Sequence, residues 1–434
     1  MTQLTHQPPV TIIVVPRERF QFTQQSLESL YDNTQYPFEL IYVDNNSPSH
    51  IYEYLQVQAE EKGFEHVRSP YYLSPNQARN AGLRRVKTPY VVFVDNDVVF
   101  SSGWLSALMR CAQETNAPVV GSLVCQYEPF HSIVHCIGGD YMEPDEYAAF
   151  SQVFSSHQTE SNKNEFKGDR NSIDHQWTIE EKTYFQNQRL AEVNDQIQRQ
   201  TVGFIEFHAM LVRTDLFDRI GLLDEGCCCT KEYLDFCMTV TRLGEPIYLE
   251  PTSVVTFLTH PPAPALQPYD LPYFMLRWSD EWEKASLKHF QQKWNLAHSK
   301  YFQKRYKKLG QRRRKELIQP LVAQFTFLNE PAKKWLEKRL VRVEKLFNRY
   351  LSRQYQFTLN NAKTPLICSY PEPRFSQKLQ RSSTSHPTIK PNLPPFPSSH
   401  MANSSPAREC ALSQNTADSK VYYAKHSTAE PIRR

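Results

Sequence analysis

Tyr90-Val91-Val92-Phe93-Val94-Asp95-Asn96-Asp97 is the stretch that decides the fold. A short run of β-branched and aromatic residues behind Pro89 has the pattern of a strand covered on both faces of a parallel sheet. The two carboxylates, two residues apart, then fall just past the strand. That is the crevice where open α/β sheets bind ligands. Like charges this close raise one pKa or recruit a cation. Hard carboxylate oxygens suit Mg²⁺ or Mn²⁺, which bridge carboxylates to phosphates. A solvated strand-end turn would use the same residue types, so the tripeptide alone leaves both readings open.

Working outward, Val10 to Val15 reads as a first strand and Phe38 to Val43 as a second. Helical spacing marks Gln24 to Tyr31, Ile51 to Lys62, which stops at Gly63, and Pro75 to Val86. Strands alternating with helices argue for βαβ units and a parallel sheet. The second strand also closes on polar residues, Asp44-Asn45-Asn46-Ser47, as the Tyr90 strand does. No glycine-rich phosphate loop accompanies these strands, so phosphates would be handled by metal and side chains.

In order and spacing, four segments resemble the motifs of family 2 glycosyltransferases with the GT-A fold. They are Val10–Val15, Tyr42–Ser47, Asn76-Gln77-Ala78-Arg79-Asn80-Ala81-Gly82 and Phe93–Asp97. The resemblance implies a GT-A, Rossmann-like, mostly parallel sheet with helices on both faces, spanning residues 8–298. It implies a nucleotide-diphospho-sugar as donor and Mn²⁺ or Mg²⁺ as cofactor. Asp44 would contact the base, with Asn46 beside it. Arg79 and Asn80 would line the nucleotide site. Asp95 would hold ribose and metal, and Asp97 would be the direct metal ligand. His260, closing the strand Ser253–Leu258, would complete the metal shell, although a histidine beside Pro261-Pro262 also reads as an ordinary loop residue. His208 reads as structural or acceptor-facing. Gly138-Gly139 resembles a family loop near the donor sugar, or is a plain turn.

Lys231-Glu232-Tyr233-Leu234-Asp235 resembles the family's acceptor-side element, an acidic pair, a spacer and an aspartate, with Gly244 at the expected distance. The chain departs from the pattern at Tyr233, where the second acid would stand. Glu232 and Asp235, three residues apart, share one helix face. One would accept the acceptor hydroxyl's proton while the other orients it. The alternative is that both merely complement a helix N-terminus. Gly203 to Arg213 reads as a strand feeding this element. Processive relatives carry a Gln-x-x-Arg-Trp element and membrane spans. Here Phe274 stands in place of the glutamine ahead of Arg277-Trp278, and no apolar run is long enough to span. A non-processive, inverting transferase acting on a glycan, lipid or other hydroxyl fits better. A non-catalytic sugar-nucleotide or glycan binder is the rival that Tyr233 keeps open.

The net charge of +4 conceals an asymmetry. Residues 300–353 hold 17 Lys/Arg against 4 Asp/Glu, a surplus of +13, which leaves −9 on the rest of the chain. Trp335, Leu336, Leu340, Val343, Phe347 and Tyr350 recur there at helical spacing. Residues 299–358 therefore read as a basic amphipathic helical extension suited to an anionic membrane surface. A nucleic-acid contact is the less favoured partner, and a solvated helix packed on the domain is the plain alternative. Trp278 to Trp294 reads as one helix whose aromatic stripe packs on the sheet. Residues 140–200 read as an insertion: a loop, then a helix over Ile179–Ile197. Residues 359–434, rich in Ser and Pro, read as disordered. Nine cysteines without regular spacing, and a polar N-terminus without an apolar leader, point to reduced thiols in a cytoplasmic protein, peripheral on a membrane if the extension binds one.

Overall fold

The four strands that alternate with helices form one parallel array. In the computed structural model, which describes residues 9–141, 178–258 and 265–361, β1 (Val10–Val15), β2 (Glu39–Asn45), β3 (Glu65–Ser69) and β4 (Tyr90–Asp95) lie in the order β3-β2-β1-β4. All three pairings are parallel. The connections are helices α1 (Thr23–Asn33), α2 (Ser49–Lys62) and α3 (Pro75–Leu83). The chain steps from β1 outward to β2 and β3, then returns to place β4 on the other side of β1. The carboxyl ends of β1 and β4 therefore flank the switch point where such sheets bind ligands. Register confirms the alignment, with Val15 opposite Asp95.

Beyond β4 the sheet becomes mixed. After β5 (Val98–Phe100) and helix α4 (Trp104–Thr115) come β6 (Val119–Gln126), β7 (Ile133–Cys136), β8 (Gly139–Tyr141), β9 (Glu181–Thr183), β10 (Gln200–Thr201), β11 (Ala209–Arg213) and β12 (Ile247–Phe257). β11 lies antiparallel between β4 and β6, and β12 runs parallel to β6. Helices cover both faces, and two apolar clusters fill the layers. One holds Ile13, Val91, Phe93, Phe207 and Phe236; the other holds Ile12, Val92, Val94, Trp104 and Leu211. Alternation along β1 and β4 divides their residues between the two clusters, as a strand period of two requires.

Two helices differ from expectation. Ile179–Ile197 is not one helix: β9 pairs with β8, and only Leu190–Val193 is α-helical, with a short 3₁₀ turn after it. Phe185 and Asn187 take left-handed backbone conformations, φ 51° and 67°, which a continuous right-handed helix cannot contain. Trp278–Trp294 is likewise preceded by a break. Helix α6 (Leu271–Arg277) ends at Trp278, and α7 (Asp280–Lys293) restarts with the Ser279 hydroxyl accepting from Trp282 N–H, while α5 (Glu232–Arg242) lies earlier in the chain. The aromatic stripe is core, with Leu287, Phe290 and Trp294 buried. The strand expected over Gly203–Arg213 is confined to Ala209–Arg213.

The basic extension folds onto the α/β body. Helix α8 (Lys300–Lys307) anchors through buried Phe302, and helix α9 (Glu330–Asn360) crosses α6 and α7. Arg313, fully buried, pairs with Glu344 (2.6 Å) and Asp280 (2.8 Å). Residues 142–177, part of the expected insertion, and 362–434, nearly all of the expected tail, lie outside the described residues. No described helix is long and apolar enough to cross a membrane.

Candidate active site

Three neighbouring strand ends build the floor. Beyond β1 come Arg17-Glu18-Arg19, at the end of β2 stands Asp44, and β4 runs into Asp95-Asn96-Asp97. Asn96, the middle residue, is a brace. Its N–H donates to Val15 O (3.1 Å), its amide donates to Arg19 O and Thr23 Oγ1 (3.2 Å each), and its Oδ1 accepts from Arg17 N–H (2.7 Å). These bonds fix the turn so that the flanking carboxylates face the crevice.

The two acids are in opposite states. Asp95 is buried between Arg17 (3.1 Å) and Arg79 (3.1 Å), with His208 Nδ1 at 3.0 Å. Burial alone would raise its pKa, but Arg17, His208 and Arg79 overcome that and hold it far below the usual carboxylate range. Asp97 is fully buried, and neither carboxylate oxygen has a hydrogen-bond partner. Burial pushes its pKa up to about 7 against the pull of Arg17. Buried polar atoms are normally satisfied, so a bare carboxylate here fits a cation. His208 Nδ1, close to Asp95 but not aligned for a hydrogen bond, is unsatisfied too. Ligand atoms of Asp95, Asp97 and His208 lie within 4.8 Å of one another. Two carboxylates and an imidazole suit Mn²⁺ well and Mg²⁺ acceptably. His208, read from the sequence as structural or acceptor-facing, thus lies with the two aspartates in a group that could hold a metal ion. His260 lies outside the described residues. A second group, His135, Glu206 and His208, adjoins the first, with Glu206 Oε2 at 3.2 and 3.1 Å from the two imidazoles.

Asp44 is held away from these groups, at the end of β2, with β1 between it and β4. Its Oδ1 accepts from Ser47 N–H (2.9 Å), and its Oδ2 faces Arg68, its cross-strand partner on β3, and His66 (3.4 Å). Burial would raise this carboxyl; His66, Arg68 and Ser47 lower it instead. Asn46 follows in a left-handed conformation, φ 55°, half-buried at the crevice wall. The Arg79 guanidinium carbon lies over the Phe207 ring (4.2 Å) while it binds Asp95. Asn80 does something else. Its amide bonds Leu223 O and N–H (2.8 and 3.0 Å) and Glu225 (2.9 Å), so it ties α3 to the loop before α5.

Glu232 and Asp235 both begin α5 and line one polar cavity of about 50 Å³, enough for a few waters at most. Their environments separate them. Asp235 accepts from Lys293 (2.8 Å) and from the Trp294 indole (2.8 Å), so its oxygens are committed. Glu232 has one oxygen 4.0 Å from Arg277 and the other buried without a partner. Its charge acts on Arg17 and Arg79, the same arginines that grip Asp95. Tyr233, where the second acid was expected, turns away and donates to Glu181 (3.0 Å), which also binds Lys231 and Arg305.

Sequence reasoning passed over Glu18 and took Arg277 only as part of an incomplete Gln-x-x-Arg-Trp element. Glu18 is sealed from water among Arg277 (3.3 Å), Arg312 (3.4 Å) and the Trp278 indole (2.9 Å). Position would have found it: Arg17 and Glu18 follow β1 as Asp44 ends β2. The Gly138-Gly139 pair is spatially constrained. Gly138 has φ +85°, and any Cβ on Gly139 would overlap the Lys182 backbone on β9.

Residues 11–221 match the family model described as glycosyl transferase family 2. This segment is a family 2 glycosyltransferase domain. The chain is 26% identical over 114 residues to an uncharacterized glycosyltransferase of Rickettsia bellii (strain RML369-C), covering 26% of this chain and 16% of that protein. It is 28% identical over 123 residues to the GalNAc(5)-diNAcBac-PP-undecaprenol beta-1,3-glucosyltransferase of Campylobacter jejuni subsp. jejuni serotype O:2, covering 28% of this chain and 40% of that one. The chain thus spans well under half the length of these curated relatives. Among solved structures it is similar to GalNAc-T7 with UDP, GalNAc and Mn²⁺ (TM-score 0.41, 14% identity, 75% of this chain and 59% of that one). It is also similar to the mannosyltransferase PcManGT from Pyrobaculum calidifontis in complex with GDP-Man and Mn²⁺ (TM-score 0.40, 15% identity, 83% and 89%).

Proposed function

We propose that this family 2 domain transfers a sugar from a nucleoside-diphosphate donor to a hydroxyl acceptor with inversion, and that Glu232 is the base. The observation that carries this is the bare Asp97 carboxylate beside Asp95 and His208 at the switch point of the sheet. A divalent cation bound there would neutralise the diphosphate as it leaves. Asp95, Asp97 and His208 would hold it. Asp44, with Asn46 at its side, would receive the nucleotide base. Arg79, pinned on Phe207, would orient Asp95, and Asn80 would set the position of the loop that carries the acceptor-side helix. The acceptor oxygen attacks the anomeric carbon. The bond from that carbon to the diphosphate breaks, its electron pair leaves with the nucleotide, and Glu232 takes the hydroxyl proton. Asp235, committed to Lys293 and Trp294, positions α5 instead of accepting that proton. The Campylobacter relative's polyprenyl-linked substrate makes a lipid-linked glycan the favoured acceptor.

Nucleotide-sugar hydrolysis in the absence of acceptor provides the test. Glu232→Gln is expected to lower turnover by about 10²–10⁴ with nucleotide binding kept, whereas Asp235→Asn lowers thermal stability more than the turnover of the remaining folded protein. Equal turnover of wild type and Glu232→Gln would remove Glu232 from the role.

A further inference from the structure

Helix α9 is built inside out. The residues it buries are polar: Glu344, Asn348 and Ser352, one turn apart along a single seam. Glu344 pairs with Arg313, and Asn348 donates to Met275 O (2.7 Å). Many of its large apolar residues face away, while Leu340, Leu351 and Tyr355 are half-buried. Trp335, Val343, Leu346, Phe347, Tyr350 and Phe357 are 55–67% exposed. Beside the seam, an apolar groove of about 790 Å³ opens between α6 and α9, walled by Leu271, Met275, Leu340, Val343, Phe347 and Leu351. An exposed apolar area of this kind marks an interaction surface. Among the described residues nothing covers it.

Charge selects the occupant. α9 carries eight Lys/Arg against three Glu, and two of those Glu are spent on Arg313 and Arg314. Lys338, Arg342 and Arg349, exposed and without an ion-pair partner among the described residues, fringe the apolar face. A second copy of this face would bring like charges together, so self-association is opposed. Lysine and arginine beside Trp, Tyr and Phe form the composition that settles at a membrane interface. We propose that α9 docks on an anionic lipid bilayer, with its exposed apolar residues in the acyl boundary and a lipid chain entering the groove. The biological sense of this deepens the lipid-linked acceptor reading above and rests on it. α6 connects the two regions: Leu271 and Met275 wall the groove, while Arg277 on the same helix reaches Glu232. Docking would set the acceptor side of the site near the bilayer surface.

The test is co-sedimentation of the full chain with vesicles of phosphatidylcholine alone, or of equal parts phosphatidylcholine and phosphatidylglycerol. The wild type is expected to sediment with the anionic vesicles only, and less at high salt. Lys338→Glu/Arg342→Glu/Arg349→Glu should weaken that partition about tenfold or more. Leu346→Ser/Phe347→Ser should weaken it without changing its salt dependence. All five changed residues are exposed, and circular dichroism melting checks the folds. Nucleotide titration of the same samples keeps this test separate from the transferase reading, since a chain that binds nucleotide but no vesicle overturns only the docking. No sedimentation, equal sedimentation with neutral vesicles, or full binding by either variant would overturn it. So would a wild-type dimer lost in Leu346→Ser/Phe347→Ser, which would assign the face to a second copy.

Discussion

Glu18 and Asp97 are both carboxylates sealed from water, and their neighbours give them opposite chemistry. Around Glu18, burial is outweighed by Arg277, Arg312, Arg17 and the Trp278 indole, which keep it ionised. It joins β1, α6 and the basic extension as a fixed anion. Asp97 has no such partners, and burial prevails. A carboxylate left this way opposes folding unless a cation joins it, which is the kind of local cost that binding sites carry. Asp270 shows burial acting without any site. It is fully buried, accepts from Phe20 and Gln267 N–H (2.8 and 3.0 Å), and burial pushes it up to about 6. A carboxyl raised in the folded state favours folding most at pH below its unfolded value, near 4, and that contribution disappears as pH rises through about 6. Wild type should therefore lose about 2 kcal/mol relative to Asp270→Asn between pH 4 and pH 7. Urea titrations of both proteins at the two pH values check this; parallel stabilities would contradict it. At this scale the sequence was informative where residue type and strand position coincide, as for Asp44, Asp95 and Asp97. It could not divide Glu232 from Asp235, because Lys293 and Trp294 come from a helix about sixty residues away. Nor could it foresee that Asn80 serves the 223–225 loop, since that contact is also long-range.

Elements were legible where periodicity has one interpretation. β1, β2 and β4 and the first three helices lie where alternating apolar runs and helical spacing put them, with Gly63 ending α2 in a left-handed turn, φ 71°. The region after β8 was misread as a helix: its apolar residues, Ile179, Tyr184, Leu190 and Ile197, pack into the core from a short strand, turns and one helical turn. Tight packing between α3 and β1 depends on one glycine. A Cβ on Gly82 would lie 2.6 Å from Ile13 Cγ2, a branched side chain locked in the core. Gly82→Ala is expected to cost about 1–3 kcal/mol, and to weaken nucleotide binding as well, because α3 carries Arg79. Differential scanning calorimetry with nucleotide titration would show it. Unchanged stability would mean that the helix can shift away freely.

At the scale of the molecule, the charge asymmetry read from the sequence has two destinations. Arg305, Arg312 and Arg313 are used internally, against Glu181, Glu18 and Asp280. The lysines and arginines of α9 remain outside, around an apolar face. Sequence spacing located that helix and its amphipathic character. It could not show which face turns inward, because the inward seam is polar and only the partners on α6 and at Arg313 make its burial tolerable. The body and the extension meet at Glu18 and Arg277, so the switch-point site and the basic helices form one structure.

If Asp95, Asp97 and His208 hold the cation that binds the nucleotide, nucleotide binding requires both Mn²⁺ and Asp97. Isothermal titration of UDP and GDP, with and without Mn²⁺, against wild type and Asp97→Asn tests it most directly. Binding of one nucleotide by wild type only with Mn²⁺, lost in a variant that melts no lower than metal-free wild type, is the predicted result. Binding that is indifferent to Mn²⁺, or retained in Asp97→Asn, would contradict it.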